Sequence, residues 1–506
     1  MIGSLRTIYN GSSLPLADMP EVGSSEFVQS ILDAVDRGWR IVSYFGIPAV
    51  AEISLYCVLA HRAESRLAVT RTCAKDAHFP SLATLCPQVQ LFEREIAEQC
   101  GLIFDDHPWF NPVRFHRPLV AGRDAWSRPA DELLRVGVMD YFQVAGDEVH
   151  EVAVGPVHAG IIEPGHFRFQ CHGEEVFHLE ISLGYQHRGI EAALLGGPHP
   201  RTLQVMETAA GDTTIGHGQA YCMVMEALAG IKVPPRAEVL RGVALELERL
   251  ANHTGDLGAI AGDVGYLPTA SFCGRIRGDF LNMTAVLCGS RFGRGLLTPG
   301  GTIFDLAREH CDDLLKRLKE ARRDLTGAVE LLLNTPSVMA RLEGTGPVSQ
   351  ESAVELGLVG PAARACGIKQ DVRNDYPFGI YRMTNLPVAT ALDGDVYSRT
   401  MIRWQEVQKS MDFIEEQLRQ LPGGGHRAKT LPCAGQRLSV ALTEGWRGEI
   451  CHVAITDDLG RFARYKIVDP SFHNWQGLAM ALRGQQISDF PLCNKSFNLS
   501  YCGFDL

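Results

Sequence analysis

Three stretches repeat apolar residues at three- and four-residue spacings, and this constrains the fold more than any other feature. In 236–258, Leu240, Val243, Leu247, Leu250 and Leu257 fall on one helical face. Residues 303–333 repeat the pattern with Leu306, Leu314, Leu318, Leu325, Val329 and Leu332. Residues 395–420 predict a third long helix, ended by Pro422-Gly-Gly-Gly425. A helix of about 30 residues runs roughly 45 Å, so these stretches imply a bundle core. Around them lie strand-like runs. Ile53–Leu59 and Arg66–Thr72, separated by a short polar turn, predict a hairpin. Leu91–Glu98 is helical, and Gly101 with Asp105-Asp-His-Pro108 marks its stop. The tail returns to strands at 438–442, 449–455 and 464–468. The fold class is therefore α+β: a small α+β domain over 41–118 after an N-terminal segment 1–40, a weakly patterned polar linker over 119–150, and a mainly helical domain with flanking short sheets over 151–506.

Composition narrows the function classes. The 506 residues carry 48 Lys and Arg against 59 Asp and Glu, a net charge of −11. Nucleic-acid binders usually carry a basic footprint, so nucleic acid is not an expected partner. A 45% hydrophobic and 21% charged composition is that of a globular chain. No uncharged apolar run approaches the 18 or so residues of a membrane span. The longest candidate, 47–60, contains Glu52, and residues 1–23 lack the apolar stretch of a signal peptide. Fourteen cysteines are present with no Cys-x-x-Cys, and no two lie closer than nine residues. That spacing argues against zinc ribbons and ferredoxin-type clusters, and predicts mostly buried thiols in a reducing compartment. No glycine-rich phosphate loop stands in a strand–turn–helix context, so NADH would have to bind a different chain.

Three groups of residues carry a family resemblance. Leu91-Phe-Glu-Arg-Glu-Ile-Ala-Glu-Gln-Cys-Gly-Leu-Ile-Phe-Asp-Asp-His-Pro108 resembles the signature of the small α+β subunit of the complex I peripheral arm. Gly155-Pro-Val-His-Ala-Gly-Ile-Ile-Glu-Pro-Gly-His-Phe-Arg168 and Gly184-Tyr-Gln-His-Arg-Gly-Ile-Glu191 resemble the large subunit of energy-converting [NiFe]-hydrogenases, itself related to the quinone-site large subunit of complex I. Asp371-Val-Arg-Asn-Asp-Tyr-Pro-Phe378, Asp395-Val-Tyr-Ser-Arg399 and Leu421-Pro-Gly-Gly424 extend the match, which covers about 41–506. Both subunits in one chain is the arrangement of the formate-hydrogenlyase type.

The resemblance implies a peripheral subunit on the cytoplasmic side of a membrane complex. Its implied partners are an iron–sulfur small subunit holding a [4Fe-4S] cluster, a ferredoxin-like subunit and antiporter-like membrane subunits. It implies no cofactor bound by this chain, with quinone as a candidate ligand. The family's nickel–iron thiolates would fall at Ala210, Thr213, Ser500 and Gly503, and none of these bears sulfur. Soft thiolates are what such a centre needs, so no nickel is expected. Of the complex I quinone grip, the tyrosine aligns near Gly211 and the histidine near Glu163-Pro164, with His158 and His166 as possible replacements. Gly293 stands where complex I has a histidine near its proximal cluster.

The resemblance assigns further roles. Glu163 matches the hydrogenases' proton-relaying glutamate, and Asp263 the aspartate that partners the quinone histidine. His217 matches a histidine after the first thiolate pair. Asp371 and Arg373 match residues lining the hydrogenase site. Arg188 matches an arginine near the partner's cluster, where fixed positive charge raises the potential. Each has an ordinary structural alternative: a cap for Glu163, an Asx turn for Asp263, a satisfied core histidine for His217, a buried ion pair for Asp371 and Arg373, and a surface salt bridge for Arg188. Three functions follow: a remodelled acceptor site coupled to ion movement, a scaffold with a degenerate site, or an active [NiFe]-hydrogenase, the last opposed by the ligand positions.

Overall fold

The computed structural model describes every residue except 1–3, 50–51, 130 and 161. Its first unit is a five-stranded sheet. Arg40–Pro48, Ile53–His61 and Arg66–Ala74 form an antiparallel meander, and Arg6–Ile8 and Glu21–Val22 both pair with Arg66–Ala74. The predicted hairpin is therefore present, but its sheet also recruits strands from before residue 41. Strands of two and three residues are too short to show alternation, so sequence pattern passes over them. Helices Ser24–Asp36 and Gln90–Cys100 pack on this sheet. Gly101 ends the second helix at φ 72°, a left-handed conformation that glycine takes without a Cβ clash.

Residues 119–148 carry only turns and bends among the described residues, after which Val149–Val154, His166–His172 and Glu175–Ser182 make a three-stranded antiparallel sheet. The bundle follows: Thr214–Ala229, Pro235–Asp263, Leu267–Cys288, Arg308–Leu333 and Val396–Arg419. The three periodic stretches are helices, with the second starting at Arg308 and the first running on to Asp263. Periodicity missed two helices. Thr214–Ala229 is buried almost all round, so it shows no apolar stripe. Leu267–Cys288 is interrupted by Gly274 and Gly278 and has a broken stripe. The tail strands Arg437–Gly445, Gly448–Thr456 and Phe462–Val468 form a sheet whose fourth strand is Ser12–Pro15 from the far N-terminus.

The two units are joined by buried charge. Glu95, from the Glu93-Arg-Glu95 run, pairs with Arg114 and, at 2.7 Å, with Lys466. Lys466 also pairs with Glu191 at 3.0 Å, and Glu191 with Arg464 at 3.0 Å. All five side chains are buried, where unpaired charge is costly. The charged run on helix Gln90–Cys100 is thus a junction between units. All fourteen cysteines are free and eleven are buried, behaving as small apolar residues. Among the described residues no helix is long and apolar enough to cross a membrane.

Candidate functional site

Two loops meet beneath the three-stranded sheet. One, 207–213, precedes helix Thr214–Ala229; the other is the C-terminal turn 498–506. Together they bring Ala210, Thr213, Ser500 and Gly503 into one region. A Cβ on Gly503 would lie 3.0 Å from the Ala210 Cβ and 2.8 Å from the Asp469 Cγ, so the two loops touch. Ser500 Oγ accepts from the Gly503 N–H at 2.9 Å, capping the last short turn, and lies 3.4 Å from Cys502 Sγ. Thr213 Oγ1 donates to the Gly211 carbonyl at 3.0 Å. Arg447 ties the loops together: Nε donates to the Asn498 carbonyl at 2.6 Å, and Nη1 to the Gly211 carbonyl at 2.9 Å and Thr213 Oγ1 at 3.3 Å. A guanidinium therefore bridges the two segments whose side chains the resemblance assigns to metal ligation.

Glu163 approaches from the sheet's connecting loop, its Oε2 accepting from the Cys502 N–H at 3.4 Å. Burial raises the Cys502 thiol and the Glu163 charge raises it further, so it stays protonated. On the same side Tyr501 Oη lies 3.1 Å from His158 Nε2. Burial raises the tyrosine, keeping it a phenol. Burial lowers His158, which a hydrogen bond to the Glu163 backbone opposes, so the imidazole is neutral at pH 7 and the phenol donates to it. Lys495 acts on both His158 and Asp263, lowering each. Asp263 ends helix Pro235–Asp263 on the exposed edge, and partial desolvation nonetheless raises its pKa. Arg188, also exposed, donates to the carbonyls of Thr208 at 2.8 Å and Ala209 at 3.0 Å, beside Ala210.

Below the loops a buried relay runs inward. His217 Nε2 lies 3.0 Å from Asp469 Oδ2, His217 Nδ1 lies 3.0 Å from His452 Nε2, and His452 Nδ1 lies 2.9 Å from Tyr465 Oη. Burial pushes Asp469 up, but the hydrogen bond from His217 and the charge of Arg447 overcome this and hold the carboxylate ionised. Burial holds His452 well below its usual range. In one arrangement that satisfies every group, Tyr465 donates to His452, His452 to His217, and His217 to Asp469.

The remaining expected residues lie apart. His166 sits in its strand, accepting from Arg168 Nε at 3.2 Å and packing 5.4 Å from the Tyr141 ring. Asp371 and Arg373 form a two-bond pair at 2.9 and 2.6 Å inside a separate buried network. There Arg373 also meets Glu246 at 3.0 Å, and Arg364 meets Glu406 and Glu444 at 2.8 Å each. The structure therefore gathers Glu163, His217 and Arg188 around the four degenerate positions, leaves His166, Asp371 and Arg373 outside, and puts Asp263 at an exposed helix end.

Sequence reasoning missed Tyr501, His158's bond to it, Lys495, Arg447, Asp469, His452 and Glu248. None sits in a spacing that signals chemistry; only the fold brings 158, 447 and 501 together. Glu248 accepts from the Ile215 and Gly216 N–H groups at 2.7 and 3.1 Å, at the start of helix Thr214–Ala229. Burial raises its pKa to about 8, against the helix-end bonds that lower it. The folded value exceeds the ordinary one near 4.5, so the folded state holds a proton that the unfolded chain has lost. That stability is fully present below about pH 4.5 and is lost as pH rises through about 8. Glu248→Gln, which keeps one acceptor oxygen but turns its amide NH2 towards the other N–H, is expected to be less stable than the parent at pH 5 and to close that gap towards pH 8. Denaturant midpoints across that range check this, and parallel profiles would count against it.

Comparison with known proteins agrees with this architecture. Residues 24–120 match the family described as respiratory-chain NADH dehydrogenase, 30 Kd subunit. Residues 263–438 and 432–505 match respiratory-chain NADH dehydrogenase, 49 Kd subunit. Formate hydrogenlyase subunit 5 of Escherichia coli is 31% identical over 473 residues, 88% of this chain and 81% of that protein. The carbon monoxide-induced hydrogenase of Rhodospirillum rubrum is 32% identical over 350 residues, 69% of this chain and 97% of the relative. Hydrogenase-4 component G of Escherichia coli is 30% identical over 448 residues, 85% of this chain and 76% of the relative. With a 30 Kd-type unit, a 49 Kd-type unit and the formate-hydrogenlyase order in one polypeptide, the chain belongs to the complex I-related family of oxidoreductase subunits that includes the formate hydrogenlyase and membrane-bound hydrogenase large subunits.

Proposed function

We propose that this chain is the peripheral-arm subunit of a membrane-associated respiratory oxidoreductase, and that its former metal pocket is rebuilt as a site for a quinone-like acceptor. The observation that carries the reading is the Tyr501–His158 pair at 3.1 Å, beside Glu163 and within the field of Lys495. Reducing a quinone to a quinol takes two electrons and two protons, one proton on each oxygen. Tyr501 offers one phenol proton through its bond to His158, and Glu163, on the Cys502 N–H beside them, is the carboxyl group that brings the second. A [4Fe-4S] cluster in an iron–sulfur small subunit supplies the electrons one at a time. Arg188, on the exposed edge, presents fixed positive charge to that partner. Ferredoxin-like and antiporter-like subunits complete the complex and couple the reaction to ion movement.

No nickel–iron centre belongs to this reading. The four ligand positions offer two hydroxyls and no thiolate, Cys502 is held as a thiol, and Arg447 links the loops. One equivalent of nickel in the purified complex would overturn this. The test of the acceptor site is electron transfer from a reduced dye to a soluble quinone analogue in the complex purified through this chain. The double variant Glu163→Gln and Asp263→Asn is expected to lower turnover about tenfold or more, by removing both carboxylates. Unchanged turnover would retire the site. The close packing of Gly503 on Ala210 favours a second reading, a scaffold with a closed pocket. It predicts no acceptor turnover in a complex whose clusters are shown to be reduced.

A further inference from the structure

A cavity of about 630 Å³ opens between the two units, beside the C-terminal turn. Helix Gln90–Cys100 and the following loop wall one side; strand Glu175–Ser182, helix Pro470–Ala481 and residues 139–142 wall the other. The volume is that of a small-molecule site, typically about 300–1,000 Å³, and its surface is mostly apolar. Leu91, Trp109, Phe142, Ile181, Trp475 and Phe504 supply most of that character.

Its polar groups divide into the satisfied and the orphaned. Glu180 accepts from Trp109 Nε1 at 2.7 Å and from the Phe142 N–H at 2.8 Å, so both oxygens hold the wall together. His107 uses both nitrogens, one on the Gln90 carbonyl and one on the Trp109 N–H, each at 3.1 Å. Arg94 is different. Its Nε donates to the Asn111 carbonyl at 2.7 Å and its Nη2 to the Pro112 carbonyl at 3.1 Å. Its Nη1 has no hydrogen-bond partner among the described residues, and no carboxylate among them forms an ion pair with it. Glu180 and Glu98 act on it only from beyond contact distance. Burial lowers the guanidinium to about 10, still charged at neutral pH. The indole N–H of Trp475 also finds no acceptor, but that atom is closed off from the cavity. An apolar cavity thus holds one cationic donor without an acceptor, Arg94 Nη1.

We propose that this cavity is a binding site for an apolar carboxylic acid of fatty-acid type. Its carboxylate accepts from Arg94, and its hydrocarbon lies along the aromatic wall. A carboxylate fits better than a neutral head because charge-assisted bonds to guanidinium are the stronger kind. The site shares a wall with the acceptor site, since Trp475 packs 4.9 Å from Tyr501.

Fluorescence titration of the full chain, alone and in its complex, with cis-parinaric acid tests the proposal. Saturable binding of one molecule per chain is expected in both. The methyl ester, which lacks the charge, is expected to bind the parent chain at least tenfold more weakly. Arg94→Met is expected to weaken the acid by tenfold or more while leaving the ester unchanged, and Ile181→Trp, which fills the cavity, to abolish both. The ester comparison uses the unaltered chain, so it stands even if a variant folds poorly. Absence of saturable binding, equal affinity for acid and ester, or binding by the isolated chain that vanishes in the complex because a partner fills the cavity would each overturn it.

Discussion

Replacing Arg364 by methionine is expected to destabilise the chain by about 3–5 kcal/mol, because breaking a buried ion pair strands the charge left behind. Arg364 is wholly buried and stands among three carboxylates: Glu406 and Glu444 at 2.8 Å and Asp371 at 3.6 Å. It holds Glu406, from helix Val396–Arg419, against Glu444, from strand Arg437–Gly445, so the bundle and the tail sheet share one counter-ion. Methionine fills similar volume and supplies no charge. The carboxylates must then take up protons or separate. Glu444 is the most exposed to this, since burial and the neighbouring Asp371 already raise it to about 7. Two further variants isolate the cause. Arg364→Lys is expected to recover part of the loss, because one ammonium cannot span the set as a planar guanidinium does. Adding Glu444→Gln to Arg364→Met is expected to recover another part, by removing one stranded charge. Denaturant midpoints followed by tryptophan fluorescence measure all three. A loss below about 1 kcal/mol for Arg364→Met would show that the carboxylates do not depend on it.

Tyr501→Phe carries the largest expected effect on activity. If the phenol delivers a proton to the acceptor, its removal lowers turnover roughly 100-fold, the lower end of what a positioned acid contributes. The KM for the quinone analogue should move little, since the ring that packs 4.9 Å from Trp475 and over Gly165 is kept. The structural cost is one buried hydrogen bond, about 1 kcal/mol, so the complex should assemble and its clusters should reduce as before. Stopped-flow reduction of the clusters, followed by steady-state turnover, separates these outcomes. Normal cluster reduction with normal turnover would remove Tyr501 from the reaction. His158→Gln is expected to leave more activity than Tyr501→Phe, because the amide still accepts from the phenol.

The sequence by itself determined the elements whose signal is local. A helix that buries one face writes its period into the chain, so 236–258, 303–333 and 395–420 were legible. The charged run at Glu93–Glu95 was legible as a signature, though only the structure shows what it does, with Glu95 meeting Lys466 more than 370 residues away. The absence of sulfur at Ala210, Thr213, Ser500 and Gly503 was also readable, once the resemblance placed those positions. Tertiary structure alone decided the rest. Helix Thr214–Ala229 is buried on every side and so lacks a stripe. Ser12–Pro15 and Arg437–Gly445 pair across more than 400 residues, a contact that no local pattern encodes. The same holds for the site: Tyr501 and His158 lie 343 residues apart, and neither is unusual in its own segment. A site assembled from single residues on separate loops has no spacing to read, because its geometry is a property of the packed loops and not of any one stretch of chain.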